Sequence, residues 1–282
     1  MGKPVDILGH LFTPESIEKH FLGDEEELAV FESLGRAKTL KGMTVEEFKK
    51  YVDEVGLGRT NIASFYGWSY RFQRPYLHVT PEEVYEVTKQ LPGVAYGLYG
   101  VNPFDALRGV KHFEKSVKEY GFVGIHVHPH GFDLGPDHAY YFPYYAKCVE
   151  LGVPAVFSMG HTLDFMPIEN GRPARLDKIA LYFPELTIVC THTGWPWVEE
   201  AIALASKHPN VYLGTSAYAP KYWKPEMVKF LNSWGQDKVL WGSDFPLVKH
   251  QEAFAQIEEL NLKPQVVEKL LWKNAEKVFK YK

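Results

Sequence analysis

The residues best equipped for chemistry in this sequence are histidines and one aspartate at the ends of apolar runs. The run Val5-Asp6-Ile7-Leu8-Gly9 ends on His10. Side chains alternate along a strand, so Asp6, Leu8 and His10 are expected to share one face. The plain alternative for His10 is a strand cap. In Gly121–Val127, Val123, Ile125 and Val127 suit an outer wall, which turns His126 and His128 the other way, with His130 just beyond. His161 follows Phe157-Ser158, and His192 follows Cys190-Thr191. Asp244 follows Trp241-Gly242-Ser243. Imidazoles bind metals or anions, or move protons near neutral pH. A carboxylate behind a buried strand is costly unless it is paired, hydrogen-bonded or metal-bound. A structural aspartate capping the next helix is the other reading of Asp244.

Elements in a definite order must position these groups. Eight apolar segments read as strands: Val5–Leu8, Asn61–Tyr66, Val94–Tyr99, Gly121–His128, Val153–Phe157, Leu186–Thr191, Asn210–Thr215 and Lys238–Trp241. Helical patterns separate them. Thr80-Pro81-Glu82-Glu83 has capping-box spacing, and Asn102-Pro103 opens a helix with Leu107, Val110, Phe113 and Val117 on one face. Later helices are expected over 140–151, 175–182, 197–207, 225–234, 251–260 and 264–279. Strands alternating with helices imply parallel pairing. Eight units favour an α/β fold closed as a (β/α)8 TIM barrel, in one domain over residues 1–282. The stretch from about 14 to 55 is too long for one connection. It is expected to form a helical insertion capping the barrel mouth. Active sites of such barrels gather at the C-terminal strand ends, where these histidines stand.

Composition narrows the function classes. The chain has 282 residues, 45% hydrophobic and 23% charged, with a net charge of −4. No broad basic face marks a nucleic-acid or membrane partner. No apolar run approaches the roughly 20 residues of a membrane span. The N-terminal Met1-Gly2-Lys3-Pro4 lacks a signal-peptide core, so a cytoplasmic protein is expected. Cys148 and Cys190 sit in apolar stretches and read as core residues rather than a disulfide framework.

Three segments together resemble the amidohydrolase superfamily: Val5 to Pro14, Phe183 through Trp197, and Lys238 to Pro246. More closely, the chain resembles the branch of aminocarboxymuconate-semialdehyde decarboxylase and the hydroxybenzoate and resorcylate decarboxylases. That resemblance implies a divalent metal, zinc or manganese, held by a His-x-His or Glu-x-His pair on strand one, a histidine on strand five and an aspartate on strand eight. His10 matches the second ligand, His192 the base and Asp244 the last ligand. Leu8 and Ser158 stand where two other ligands belong, and neither side chain is a good zinc ligand. The ligand set is degenerate, and the sequence favours absence of the metal. The alternatives are a site rebuilt from His10, His161 and Asp244, or nitrogen ligands supplied by His126 and His128. Without a metal, His10, His126, His128, His192 and Asp244 would do acid–base work directly.

The expected substrate side is aromatic. Tyr66, Trp68, Arg71 and Trp195 follow strand ends and suit a flat ring and its carboxylate. The function expected is an enzyme acting on a small cyclic or aromatic carboxylate or carbonyl compound, by nonoxidative decarboxylation or hydrolysis. The alternative is a catalytically inactive barrel that binds a small molecule or protein partner. The resemblance also implies a homodimer.

Overall fold

The computed structural model describes residues 2–281. Its strands are β1 (Val5–Gly9), β2 (Arg59–Ala63), β3 (Phe65–Ser69), β4 (Arg74–Val79), β5 (Ala95–Gly100), β6 (Ile125–Val127), β7 (Ala155–Phe157), β8 (Ile188–Cys190), β9 (Val211–Gly214) and β10 (Val239–Leu240). Eight of them form one parallel sheet in the order β1-β2-β5-β6-β7-β8-β9-β10. The sheet curls until its edges meet. Ile7 N donates to Trp241 O at 3.2 Å, Asp244 N to Leu8 O at 2.8 Å and His10 N to Phe245 O at 2.7 Å. All eight expected barrel strands are present, as a nearly closed TIM barrel.

Alternation along each strand explains the layers. Ala63, Leu98, Val156, Val189 and Leu240 cluster with Ile7, Tyr212, Val278 and Phe279. Ile125, Val127, Ala155, Phe157, Ile188 and Cys190 belong instead to the layer under the helices. Two strand-end glycines make room for Ile7. A Cβ on Gly214 or Gly242 would lie 2.9 or 3.0 Å from its side chain. Both cysteines are free and buried, and burial pushes the Cys190 thiol up to about 12.

Thr80 and Glu83 form the expected capping box, and Asn102 caps the turn before the helix Ala106–Tyr120. The segment after β1 holds helices Pro14–Ile17, Glu25–Ser33 and Val45–Val55, capped by Thr13, Asp24 and Thr44. The last helical run, 264–279, is continuous but passes through a π-turn at Lys269–Lys273.

Two expectations change. The segment Asn61–Tyr66 is not one strand. β2 stops at Ala63 because the Ser64 hydroxyl takes over the ladder, bonding Leu98 O and accepting from Gly100 N. The chain then turns into the antiparallel hairpin β3–β4. Nor do Asp6 and His10 share a face. The β1 register shifts between Asp6 and Gly9, which breaks the alternation.

Candidate active site

His10 follows β1 and Asp244 follows β10, 234 residues later, yet His10 Nε2 lies 3.1 Å from Asp244 Oδ1. Their side chains keep only 17% and 15% of their exposure. Burial alone pulls the His10 imidazole down, but the Asp244 charge and hydrogen bond outweigh it and hold it above its ordinary value. Burial likewise pushes the Asp244 carboxyl up, and His10 overcomes this to bring it down to about 2. Each member of the pair thus favours the charged form of the other.

Ser158, one residue past β7, joins two further imidazoles. Its Oγ lies 2.8 Å from His126 Nε2 and 3.2 Å from His192 Nε2. Ser216, past β9, lies 3.0 Å from His192 Nδ1. A hydroxyl has one proton and two lone pairs. Donating to one of these imidazoles and accepting from the other, it would fix complementary tautomers on the pair. The His126, His128 and His130 rings are all buried, and the Nδ1 atom of each has no hydrogen-bond partner. His130 Nε2 lies 2.9 Å from Gly160 O. Burial lowers all four imidazoles, and neighbouring histidines lower them further. His126 falls to about 3, His130 to about 4, His128 well below its usual value, and His192 below its usual value. The His10–Asp244 pair therefore stands among four imidazoles that burial disfavours as cations.

Phe65 packs into this group, with ring centroids 4.5 Å from His128, 5.7 Å from His126 and 6.3 Å from His10. Phe21, from the segment after β1, meets the His10 ring at 6.3 Å. The backbone is strained where the chain supplies these groups. His192, Thr193, Ala217 and Asp244 have φ of 56°, 55°, 67° and 61°, left-handed values that cost about 1–3 kcal/mol each outside glycine.

The other expected residues make contacts of their own. His161 donates its backbone N–H to Trp195 O and sets its ring 5.3 Å from that of Trp195. Trp195 also meets Tyr218 at 5.8 Å. The Tyr66 ring faces His78 and Phe132, and Trp68 and Arg71 are exposed on the hairpin. Sequence reasoning missed Ser158 as a bridge, Ser216, and an acid pair of buried Glu27 and half-buried Asp164. In that pair the Tyr76 hydroxyl bonds Glu27 and, at 3.0 Å, Asp164 Oδ1. Serines at strand ends were the available signal for the first two. Nothing local announces Glu27 and Asp164, which are far apart in sequence.

The implied divalent metal can be tested against this donor set. Among the described residues, no group of three or more His, Cys, Asp or Glu side chains is arranged to hold a metal ion. Leu8 is fully buried in the apolar cluster, Ser158 is bound between two imidazoles, and Asp244 is paired with His10. The residues present do not fit the metal.

Several solved structures share the fold. An uncharacterized TIM-barrel protein from Bordetella bronchiseptica superposes with a TM-score of 0.79 at 22% identity, over 99% of each chain. A 2,6-dihydroxybenzoate decarboxylase complexed with 2,6-dihydroxybenzoate gives 0.72 at 16%, over 99% of each chain. The 5-carboxyvanillate decarboxylase of Novosphingobium aromaticivorans, with bound manganese and 3-methoxy-4-hydroxy-5-nitrobenzoic acid, gives 0.71 at 17%, over 99% of this chain and 97% of that one. No curated protein sequence matches. The amidohydrolase family model matches residues 34–281, and the chain therefore belongs to the amidohydrolase family of enzymes.

Proposed function

We propose that this chain is a cytoplasmic enzyme that removes carbon dioxide, without oxidation, from a small aromatic carboxylate. The observation that carries the reading is the His10–Asp244 pair at 3.1 Å, in which the carboxylate raises the imidazole while burial lowers the four histidines around it. The decarboxylases that share its fold support the reaction class.

Decarboxylation of an aromatic ring needs a proton at the carbon that bears the carboxylate. The His10 imidazolium donates it, and Asp244 stabilises the charged acid. The C–C bond then breaks, its electron pair restores the aromatic ring, and carbon dioxide leaves. His10 regains its proton from solvent. His126, His128 and His192, uncharged, offer N–H groups to the carboxylate or to a ring hydroxyl without opposing the cation. Proton transfer of this kind contributes roughly 10²–10⁴-fold. Phe21 and Phe65 flank His10 as walls of a flat slot, taking the part expected of Tyr66, Trp68 and Arg71, while Trp195 with Tyr218 forms an outer wall. The contact of Phe21 with His10 also supports reading the helices of 14–55 as a cap over the mouth, within one domain of 1–282.

Because the donor set does not fit a metal, no step passes through one. The test is carbon dioxide release from a panel of 2-hydroxybenzoates, with Asp244→Asn beside the wild type. We expect Asp244→Asn to lower kcat at least about 10²-fold. Turnover unchanged by that substitution refutes the assignment.

A further inference from the structure

Asp6 escaped the site, but its surroundings give it a task there. It and His250 are both completely buried, and His250 Nε2 lies 2.9 Å from Asp6 Oδ2. Tyr51, in the helix Val45–Val55, places its hydroxyl 2.8 Å from His250 Nδ1. Asp6 Oδ1 accepts from Leu8 N at 3.3 Å and Ser243 N at 2.8 Å, and Oδ2 accepts from the Ser243 hydroxyl. Four groups thus converge on one carboxyl.

These bonds surround Asp244. Ser243, just before it, is held through both N and Oγ by Asp6. Phe245, just after it, donates its N–H to that same Ser243 Oγ at 2.9 Å. Asp244 N itself donates to Leu8 O, and Phe245 O accepts from His10 N. Backbone attachments of residues 243–245 thus lead, directly or through Ser243, to residues 6 and 8 of β1 and to residue 10 just after it. A non-glycine residue keeps a left-handed φ of 61° only where its surroundings over-determine it. The two Asp–His pairs also cross the barrel seam in opposite senses. Asp6 reaches from the first strand to His250 beyond the last, and Asp244 reaches from beyond the last strand back to His10.

We infer that Asp6 and His250, steadied by Tyr51 and acting through Ser243, are positioning residues that clamp the barrel seam and set the Asp244 carboxylate against His10. This rests on the reading of His10–Asp244 as the working acid. An error of about 1 Å in such a group costs on the order of 10²-fold in rate. The clamp therefore acts on turnover more than on substrate binding.

The test compares Asp6→Asn and His250→Gln with wild type, using Ser243→Ala if neither folds. Circular dichroism and urea unfolding establish that each variant is folded. We expect kcat to fall on the order of 10²-fold with KM within about twofold, and Tyr51→Phe to lose less than about tenfold. In amide hydrogen exchange, the Asp244 and His10 amides should exchange at least about tenfold faster in Asp6→Asn, with the Phe157 and Cys190 amides unchanged. A folded Asp6→Asn protein with wild-type exchange at Asp244 and His10 overturns the clamp whatever the enzyme's substrate. Faster exchange at the seam in a protein that decarboxylates none of the panel refutes the proposed reaction and leaves the clamp standing. Faster exchange with unchanged kcat overturns the claim that the clamp serves catalysis.

Discussion

Replacing His130 by Gln should remove a defined part of the acid sensitivity of this fold. His130 is buried, and its Nε2–H donates to Gly160 O, which leaves Nδ1 as an unprotonated nitrogen without a partner. A second proton must go onto Nδ1, where no acceptor waits for it. Burial is the main reason that the imidazole falls from 6.5 to about 4; the bond to Gly160 resists the fall and the neighbouring His192 and His161 add to it. The direction follows from linkage. Below pH 6.5 the unfolded chain takes up a proton at this site and the folded chain does not, so stability falls as pH falls and levels off near pH 4. The loss is about 1.4 kcal/mol per pH unit, so about 2 kcal/mol at pH 5 and about 3 kcal/mol in full. Gln keeps an N–H for Gly160 O and does not titrate. In urea unfolding at pH 7 and pH 5, wild type should lose about 2 kcal/mol more than His130→Gln over that interval. Every other titrating group is common to both proteins and cancels. Parallel pH profiles for the two proteins would show that His130 is not held neutral by burial, and the account of the neutral imidazoles would fail with it.

Ser158→Ala removes the hydroxyl shared by His126 and His192 and leaves two enclosed nitrogens without a partner. It should cost about 1–3 kcal/mol in urea unfolding, together with at least a tenfold loss of kcat, about what one misplaced proton-transfer group costs; an unaltered kcat would remove Ser158 from the site. Glu27 predicts the opposite pH trend to His130. Burial first, then the Asp164 charge, holds its carboxyl well above the usual range. Its folded form keeps a proton that the unfolded chain gives up, so its contribution is complete at low pH and is lost as pH rises towards its folded value. Glu27→Gln should therefore gain stability relative to wild type between pH 4 and pH 8 in urea unfolding, and a difference that stays constant over that range would contradict a protonated Glu27.

The architecture was legible because its signals are local and repeated. Ile125 and Val127 alternate with His126, and Ile188 and Cys190 alternate with Val189, so each strand declares its faces in a few residues. His192 and Asp244 were legible for a related reason: each is a polar residue directly after an apolar run. The β3–β4 hairpin was hidden because Ser64 ends the barrel strand with a side-chain bond that no periodicity predicts. The clamp was hidden by the β1 register shift, which turned Asp6 away from the face that simple alternation assigned it. Tyr51 and His250 meet across 199 residues, and Glu27 meets Tyr76 across 49. Pairings of that reach belong to the closed barrel and leave no mark on either local segment.

The two departures from the family's ligand pattern make joint sense once the site's charges are added. The resemblance places a dication among an aspartate and several imidazoles, where the cation stabilises the carboxylate. In the proposed reading a proton on His10 takes that part: His10 Nε2 lies 3.1 Å from Asp244 Oδ1, and His10 brings the carboxyl down to about 2. With that single positive charge in place, a second one on any nearby ring would be repelled, and the remaining rings are the ones pushed towards neutrality. Ser158 then does what a liganding histidine would not. Its hydroxyl can donate to one imidazole and accept from another, fixing tautomers without adding charge. Leu8 continues the apolar packing of the barrel in place of a donor for which this arrangement has no use. A proton can be delivered to a substrate and recovered from water, whereas a structural dication cannot. In the proposed reading, the charge that organises the site is therefore also available as a reagent.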